Sequence, residues 1–106
     1  MQNILRKTQN LAHEYLQSFG FEEEQIETLI KKGTRDLKNE LEKLYTLLEN
    51  ENTPIEELNN ALHALKGLLF HLGNNALAQE LNEVRSQLHS SEDIAIIKNI
   101  LKEHNQ

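Results

Sequence analysis

Asn60-Ala61-Leu62-His63-Ala64-Leu65-Lys66-Gly67-Leu68-Leu69-Phe70-His71-Leu72-Gly73 is the stretch that decides the fold. Counted from Leu58, its leucine seam falls at 58, 62, 65, 69 and 72. Alternating steps of four and three mark a helix packed inside a bundle. At about 100° per residue, Leu58, Leu62, Leu65 and Leu69 share one side. His63 lies about 100° from Leu62, off the seam, with Asn59, Lys66, Gly67 and Phe70 on the same flank. A glycine inside a helix costs about 1 kcal/mol against alanine. Gly67, one turn beyond the histidine, therefore needs a reason, and close approach of a large molecule supplies one.

Outward from this stretch, Thr53-Pro54-Ile55-Glu56 reads as a helix start. Thr53 caps, Pro54 suits the first helical position and Glu56 completes a capping box. The helix should run from about Pro54 to His71, about 18 residues or about 27 Å. Leu72-Gly73-Asn74-Asn75 is a reversal: Gly73 supplies a left-handed cap, and Asn74 or Asn75 starts the next helix. So short a turn makes the two helices antiparallel neighbours. The following helix carries Leu77, Leu81, Val84 and Leu88. Ser90 or Ser91 caps a last helix, with Glu92 and Asp93 in its first turn and Ile94, Ile97, Ile100 and Leu101 facing inward.

Towards the N-terminus, Met1 to Ser18 reads as a helix with Ile4, Leu5, Thr8, Leu11, Ala12, Tyr15 and Leu16 recurring at three and four, ended by Gly20. It either caps one end of the bundle or serves as a dimerisation or docking helix. Phe21 to about Asn50 is a second helical region, opened by Glu22, Glu23 and Glu24 where carboxylates favour the helix dipole. Its stripe is Ile26, Leu29, Ile30, Leu37, Leu41, Leu44 and Leu48; Lys38, Glu42 and Lys43 read as a solvated face. Gly33, followed by Thr34 as a cap, leaves two readings open: one long bent helix, or two helices meeting there. Glu49-Asn50-Glu51-Asn52 reads as a polar turn.

The chain of 106 residues is expected to form one domain: residues 1–20 a capping helix and residues 21–106 a helical bundle around one modest core. Hydrophobic content of 38% with 26% charged residues fits a soluble globular protein, and four glycines with one proline leave little to break helices, so the class is all-α. The absence of cysteine excludes disulfides and thiolate metal sites and is compatible with a reducing compartment. No apolar run approaches the roughly 20 residues of a membrane helix, and the N-terminus lacks a signal-peptide pattern, so a cytoplasmic location is expected. A net charge of −6 argues against a nucleic-acid partner. The initial Met and short tails favour a free-standing chain.

His63-Ala64-Leu65-Lys66-Gly67, followed by Leu72-Gly73 and Leu77, resembles the signature of histidine-containing phosphotransfer (HPt) domains. That signature is His-x-x-Lys-Gly, then Leu-Gly and a further Leu four residues on. The match covers about fifteen positions. The helical layout from Phe21 onward is also similar, while the first twenty residues lie outside the motif. The resemblance implies an antiparallel four-helix bundle with an additional N-terminal helix. It also implies a phosphorelay, in which His63 accepts a phosphoryl group from a receiver-domain aspartyl phosphate and passes it to another receiver. The implied partners are response-regulator receiver domains and a hybrid sensor histidine kinase. The chain itself is expected to be a monomeric phosphocarrier without a cofactor, magnesium being supplied by the receiver.

On the same resemblance, Lys66 supports the transferring charge, Gly67 gives steric access, and Asn59, Asn60 and Phe70 complete the binding face, Phe70 as an exposed aromatic unless it packs on a neighbouring helix. Many members place a polar residue, often glutamine, on the next helix to hydrogen-bond the histidine ring. Arg85 stands there in this chain. Arginine donates but cannot accept, so Arg85 would favour a different ring tautomer, bind the phosphoryl group directly, or simply pair with a glutamate. The family's small polar residues after Lys-Gly are replaced by Leu68 and Leu69, which removes any hydroxyl contact there.

Imidazole suits the task. In water it titrates near about 6.5, so at neutral pH one ring nitrogen mostly offers a lone pair. The other reactant sits on a second protein, so the ring must be exposed. His71 lies about 80° around and about 12 Å along the helix from His63, unsuited to a shared metal. His13, His89 and His104 have no motif and read as surface or helix-end residues. No Ser-His-Asp arrangement or paired metal-ligand spacing stands out. Two other classes compete: a non-catalytic adaptor on the same bundle, binding a response regulator or kinase, and a bundle that only oligomerises.

Overall fold

The seam of leucines becomes the centre of the molecule. The computed structural model describes residues 1–50, 52–89 and 92–106. Among these residues it is all-α, with five helices: α1 (Gln2–Ser18), α2 (Glu23–Glu49), α3 (Ile55–His71), α4 (Asn75–Ser86) and α5 (Glu92–His104). Each helix packs on the next in chain order. Leu58, Leu62, Leu65 and Leu69 of α3 are fully buried against Leu37, Leu41, Leu44 and Leu48 of α2, Leu77, Ala78 and Leu81 of α4, and Ile97 and Leu101 of α5 in one cluster. Ile4 and Ala12 of α1 join the same cluster, and α1 packs along α2.

The molecule measures 45 × 24 × 21 Å. Its long axis matches α2, whose 27 residues span about 40 Å at about 1.5 Å each. α2 runs unbroken through Gly33. A Cβ at Gly33 would stand 2.6 Å from a terminal methyl of Leu72. The glycine therefore lets the end of α3 press against α2, and it neither breaks nor divides the helix. At its start, Glu22 and Gln25 form a reciprocal capping box.

The start of α3 lies one residue later than the sequence suggests. Pro54 is the N-cap, no side chain caps the helix, and the expected Thr53–Glu56 box does not form. Thr53 is buried and donates its hydroxyl to the Leu47 carbonyl at 2.7 Å. It is spent on closing the end of α2, whose last carbonyls have no helical partner. Glu51 of the expected polar turn lies outside the described residues, as do Ser90 and Ser91, the expected caps of α5.

The α3–α4 turn is a Schellman motif. The Asn74 amide reaches the Leu69 carbonyl at 2.8 Å and the Gly73 amide the Phe70 carbonyl at 3.1 Å. Gly73 has φ +79. Asn74, and not Asn75, caps α4: its Oδ1 accepts from the Leu77 amide, and its Nδ2 donates to the buried Thr8 hydroxyl at 2.9 Å. This one asparagine thus ends the reversal, starts α4 and fastens α1. Asn105, just past α5, accepts from the Asn3 and Ile4 amides and ties the chain's two ends together.

Some apolar periodicity runs past the packing it predicts. Leu11, Tyr15 and Leu29 belong to the expected stripes but are exposed, and Leu5, Ile30, Val84, Ile94 and Ile100 are only half-buried. Leu88 is buried, yet it lies beyond the end of α4. Among the described residues no helix is long and apolar enough to cross a membrane.

Tyr45 on α2 packs half-buried against the core, and burial pushes its phenol above the usual 10.0. The folded state therefore keeps a proton that the unfolded chain gives up first, so this contribution is lost as pH rises through and beyond about 10. Urea midpoints taken at about pH 9 and about pH 11 should fall less for Tyr45→Phe than for wild type. Equal falls would show that this phenol does not matter to alkaline stability.

Candidate functional site

α3 carries the candidate site because its two flanks meet different neighbours. Ala61, Ala64 and Leu68 line a groove shared with Asp36, Glu40 and Lys43 of α2, which puts α2 on that side of the seam. α4, the other helix packed on α3, covers the opposite flank. Asn59, Lys66 and Phe70 lie on that flank and are half-buried. His63 and Gly67 point further out, roughly opposite the seam. His63 is exposed.

Gly67 meets nothing of its own chain: a Cβ built there has no neighbour within 4 Å. Its helix cost of about 1 kcal/mol is therefore offset by no packing gain inside the molecule. Gly33 and Gly73 differ in this respect, since both have close internal neighbours. The result is a bare strip of backbone beside an accessible imidazole.

Lys66 and Arg85 stand on the α4 side of that imidazole. Counted from Gly73, His63 is ten residues back along α3 and Arg85 twelve residues on along α4. On antiparallel helices these levels agree within about 3 Å, with axes about 8–10 Å apart. Around α4, Arg85 falls about 20° from buried Ala78, and helical winding places it on the α3 edge of the buried face. Its Nε is buried without a hydrogen-bond partner. The ion pairs among the described residues are His13–Glu23, Lys43–Glu40 and His104–Glu80, so Arg85 is paired with none of the described glutamates.

The remaining expected site residues divide. Asn59 is half-buried beside Lys66, whereas Asn60 is exposed and lines the α2 groove on the other flank. Phe70 is not the exposed aromatic expected of a docking face: it is half-buried and packs against the core. Leu69 is fully buried, and Leu68 forms part of the α2 groove wall.

That groove has no signature in the sequence. Its rim carries Asp36, Glu40, Glu42 and Glu57, charges that look like an ordinary solvated face until α2 and α3 are set side by side. His13 and His104 are half-buried beside Glu23 and Glu80, and His71 and His89 are exposed. Among the described residues, no three His, Asp or Glu side chains converge as a metal site would require.

The arrangement offers an accessible nitrogen nucleophile, space beside it, and two cations on one side. No family model, no curated protein and no solved structure matches this chain.

Proposed function

We propose that the chain is a histidine phosphotransfer protein of the HPt type, carrying phosphoryl groups on His63 between receiver domains. The observation that supports it best is the pairing of exposed His63 with Gly67, a helix-weakening glycine that no internal contact requires. Space kept open at a cost to stability suits a partner that must bring a buried aspartyl phosphate up to the ring.

In the transfer step an unprotonated ring nitrogen attacks phosphorus. The P–O bond of the acyl phosphate breaks, the aspartate leaves as a carboxylate, and a P–N bond forms. The ring's N–H proton passes to solvent. Lys66 offsets charge on the transferring oxygens as a mobile point charge. Magnesium belongs to the receiver, whose carboxylates would hold it against the phosphoryl oxygens. The test is transfer of label from phosphorylated receivers to wild type and His63→Gln.

The glycine gives a separate prediction. Gly67→Ala should stabilise the protein by about 0.5–1 kcal/mol, because helix propensity improves and nothing is displaced. Gly67→Gln should fold as well as wild type yet accept phosphate about tenfold more slowly or worse, as a clash of about 1.4 kcal/mol or more at the docked interface would require. Thermal melts and initial transfer rates report the two effects. If transfer to Gly67→Gln matched wild type, steric access would not be the reason for this glycine.

A further inference from the structure

Of the eleven lysines and arginines, nine are exposed and two are half-buried: Lys66 and Arg85. Both flank His63 on the α4 side, and neither forms an ion pair among the described residues. Arg85 also keeps a buried Nε without a partner. A half-buried guanidinium with an orphaned donor is a standing cost in the unmodified protein. It becomes favourable when an anion arrives within reach. The residue able to present one is His63, which faces solvent at the same level of the α3–α4 pair.

Resting on the phosphotransfer reading, we infer that Arg85 is the phosphoryl receptor of the modified protein: its guanidinium engages the phosphoryl oxygens on phospho-His63 and holds the group against hydrolysis. Arginine's planar fork matches two phosphoryl oxygens, which an amide or a lysine cannot reproduce. Its effect on lifetime has a definite direction. In hydrolysis water oxygen joins phosphorus, the P–N bond breaks, the imidazole regains a proton and inorganic phosphate leaves. A fork fitted to the oxygens of the resting phosphohistidine binds that tetrahedral ground state more tightly than the flattened, in-line transition state of hydrolysis, and so slows the loss. The chain would act as a store of phosphoryl groups between encounters, with release left to a receiver that displaces the guanidinium.

The test needs no receiver. Phosphoramidate donates its phosphoryl group to the ring, its own P–N bond breaking and ammonia leaving with the ring proton. Full-length wild type, Arg85→Gln and Arg85→Lys are phosphorylated this way, with His63→Gln as the blank, and decay is followed by ³¹P NMR. Arg85→Gln should lose the group roughly tenfold faster than wild type, the scale of one charge-assisted hydrogen bond, with Arg85→Lys between them. In wild type the Arg85 Nε–H resonance should shift on phosphorylation.

Equal lifetimes with an unmoved Nε–H resonance would overturn the Arg85 role while leaving His63 as the acceptor. A wild type that forms no phosphohistidine would remove the phosphotransfer reading and this inference together. If Arg85→Gln fails to fold, the wild-type Nε–H resonance decides alone.

Discussion

His63→Gln is expected to accept no phosphate from any receiver that phosphorylates wild type, a change from near-stoichiometric labelling to none. Glutamine keeps a polar side chain of similar reach but has no nitrogen lone pair to attack phosphorus. His63 is exposed, so the substitution should leave stability within about 0.5 kcal/mol. Loss of labelling with an unchanged melt would therefore be chemical and not structural. The wild-type label should be acid-labile and base-stable, as a P–N bond requires, and should chase onto a second receiver. Equal labelling of both proteins would place the acceptor elsewhere and end the proposal. A wild type that binds a receiver yet never labels would instead make the chain an adaptor on the same scaffold, with Gly67 serving contact alone.

The candidate site is legible where it depends on spacing within one helix, and much less so where two helices meet. The leucine seam, the exposure of His63 and the reversal at Gly73 all follow from period and turn chemistry over some twenty residues. Thr53 shows the limit of local signals. Its hydroxyl fits a cap motif, but the preceding helix end has unsatisfied carbonyls and takes it first. Gly33 could not be resolved because its reason sits about forty residues away at Leu72. Leu11, Tyr15 and Leu29 keep the apolar rhythm where no neighbour lies over them; a period reveals a face but not how far its cover extends. Arg85 is the instructive case. Spacing brings it to the level of His63, but its orphaned Nε becomes visible only once α3 and α4 are packed.

Gly73→Ala should be the most damaging single-methyl change in the protein, costing about 2–5 kcal/mol. Two independent terms add. Holding alanine at φ +79 costs about 1–2 kcal/mol. The new Cβ would also stand 2.7 Å from Tyr15 Cβ and 2.8 Å from its Cγ, and atoms so near the backbone cannot swing away as a side-chain tip can. Such overpacking costs about 1–3 kcal/mol. Gly20 isolates the first term. It has φ +83 but nothing within 4 Å, so Gly20→Ala should cost only about 1–2 kcal/mol. Adding Tyr15→Gly, which removes the Cβ as well as the ring, should relieve the second term, giving a coupling of about 1 kcal/mol or more in a double-mutant cycle with Gly73→Ala. At about 4–8 °C per kcal/mol, Gly73→Ala should melt about 8 °C or more below wild type. Indistinguishable melts for Gly73→Ala and Gly20→Ala would show that α1 does not press on the turn as the coordinates indicate. The turn matters beyond stability, since it sets the register of α3 against α4. Gly73→Ala at a temperature where it remains folded should still accept phosphate on His63, because the acceptor needs only α3. If Arg85 holds the phosphoryl group, a slipped α4 would also shorten the lifetime of that phosphate, which separates the register of the helix pair from the chemistry of the ring.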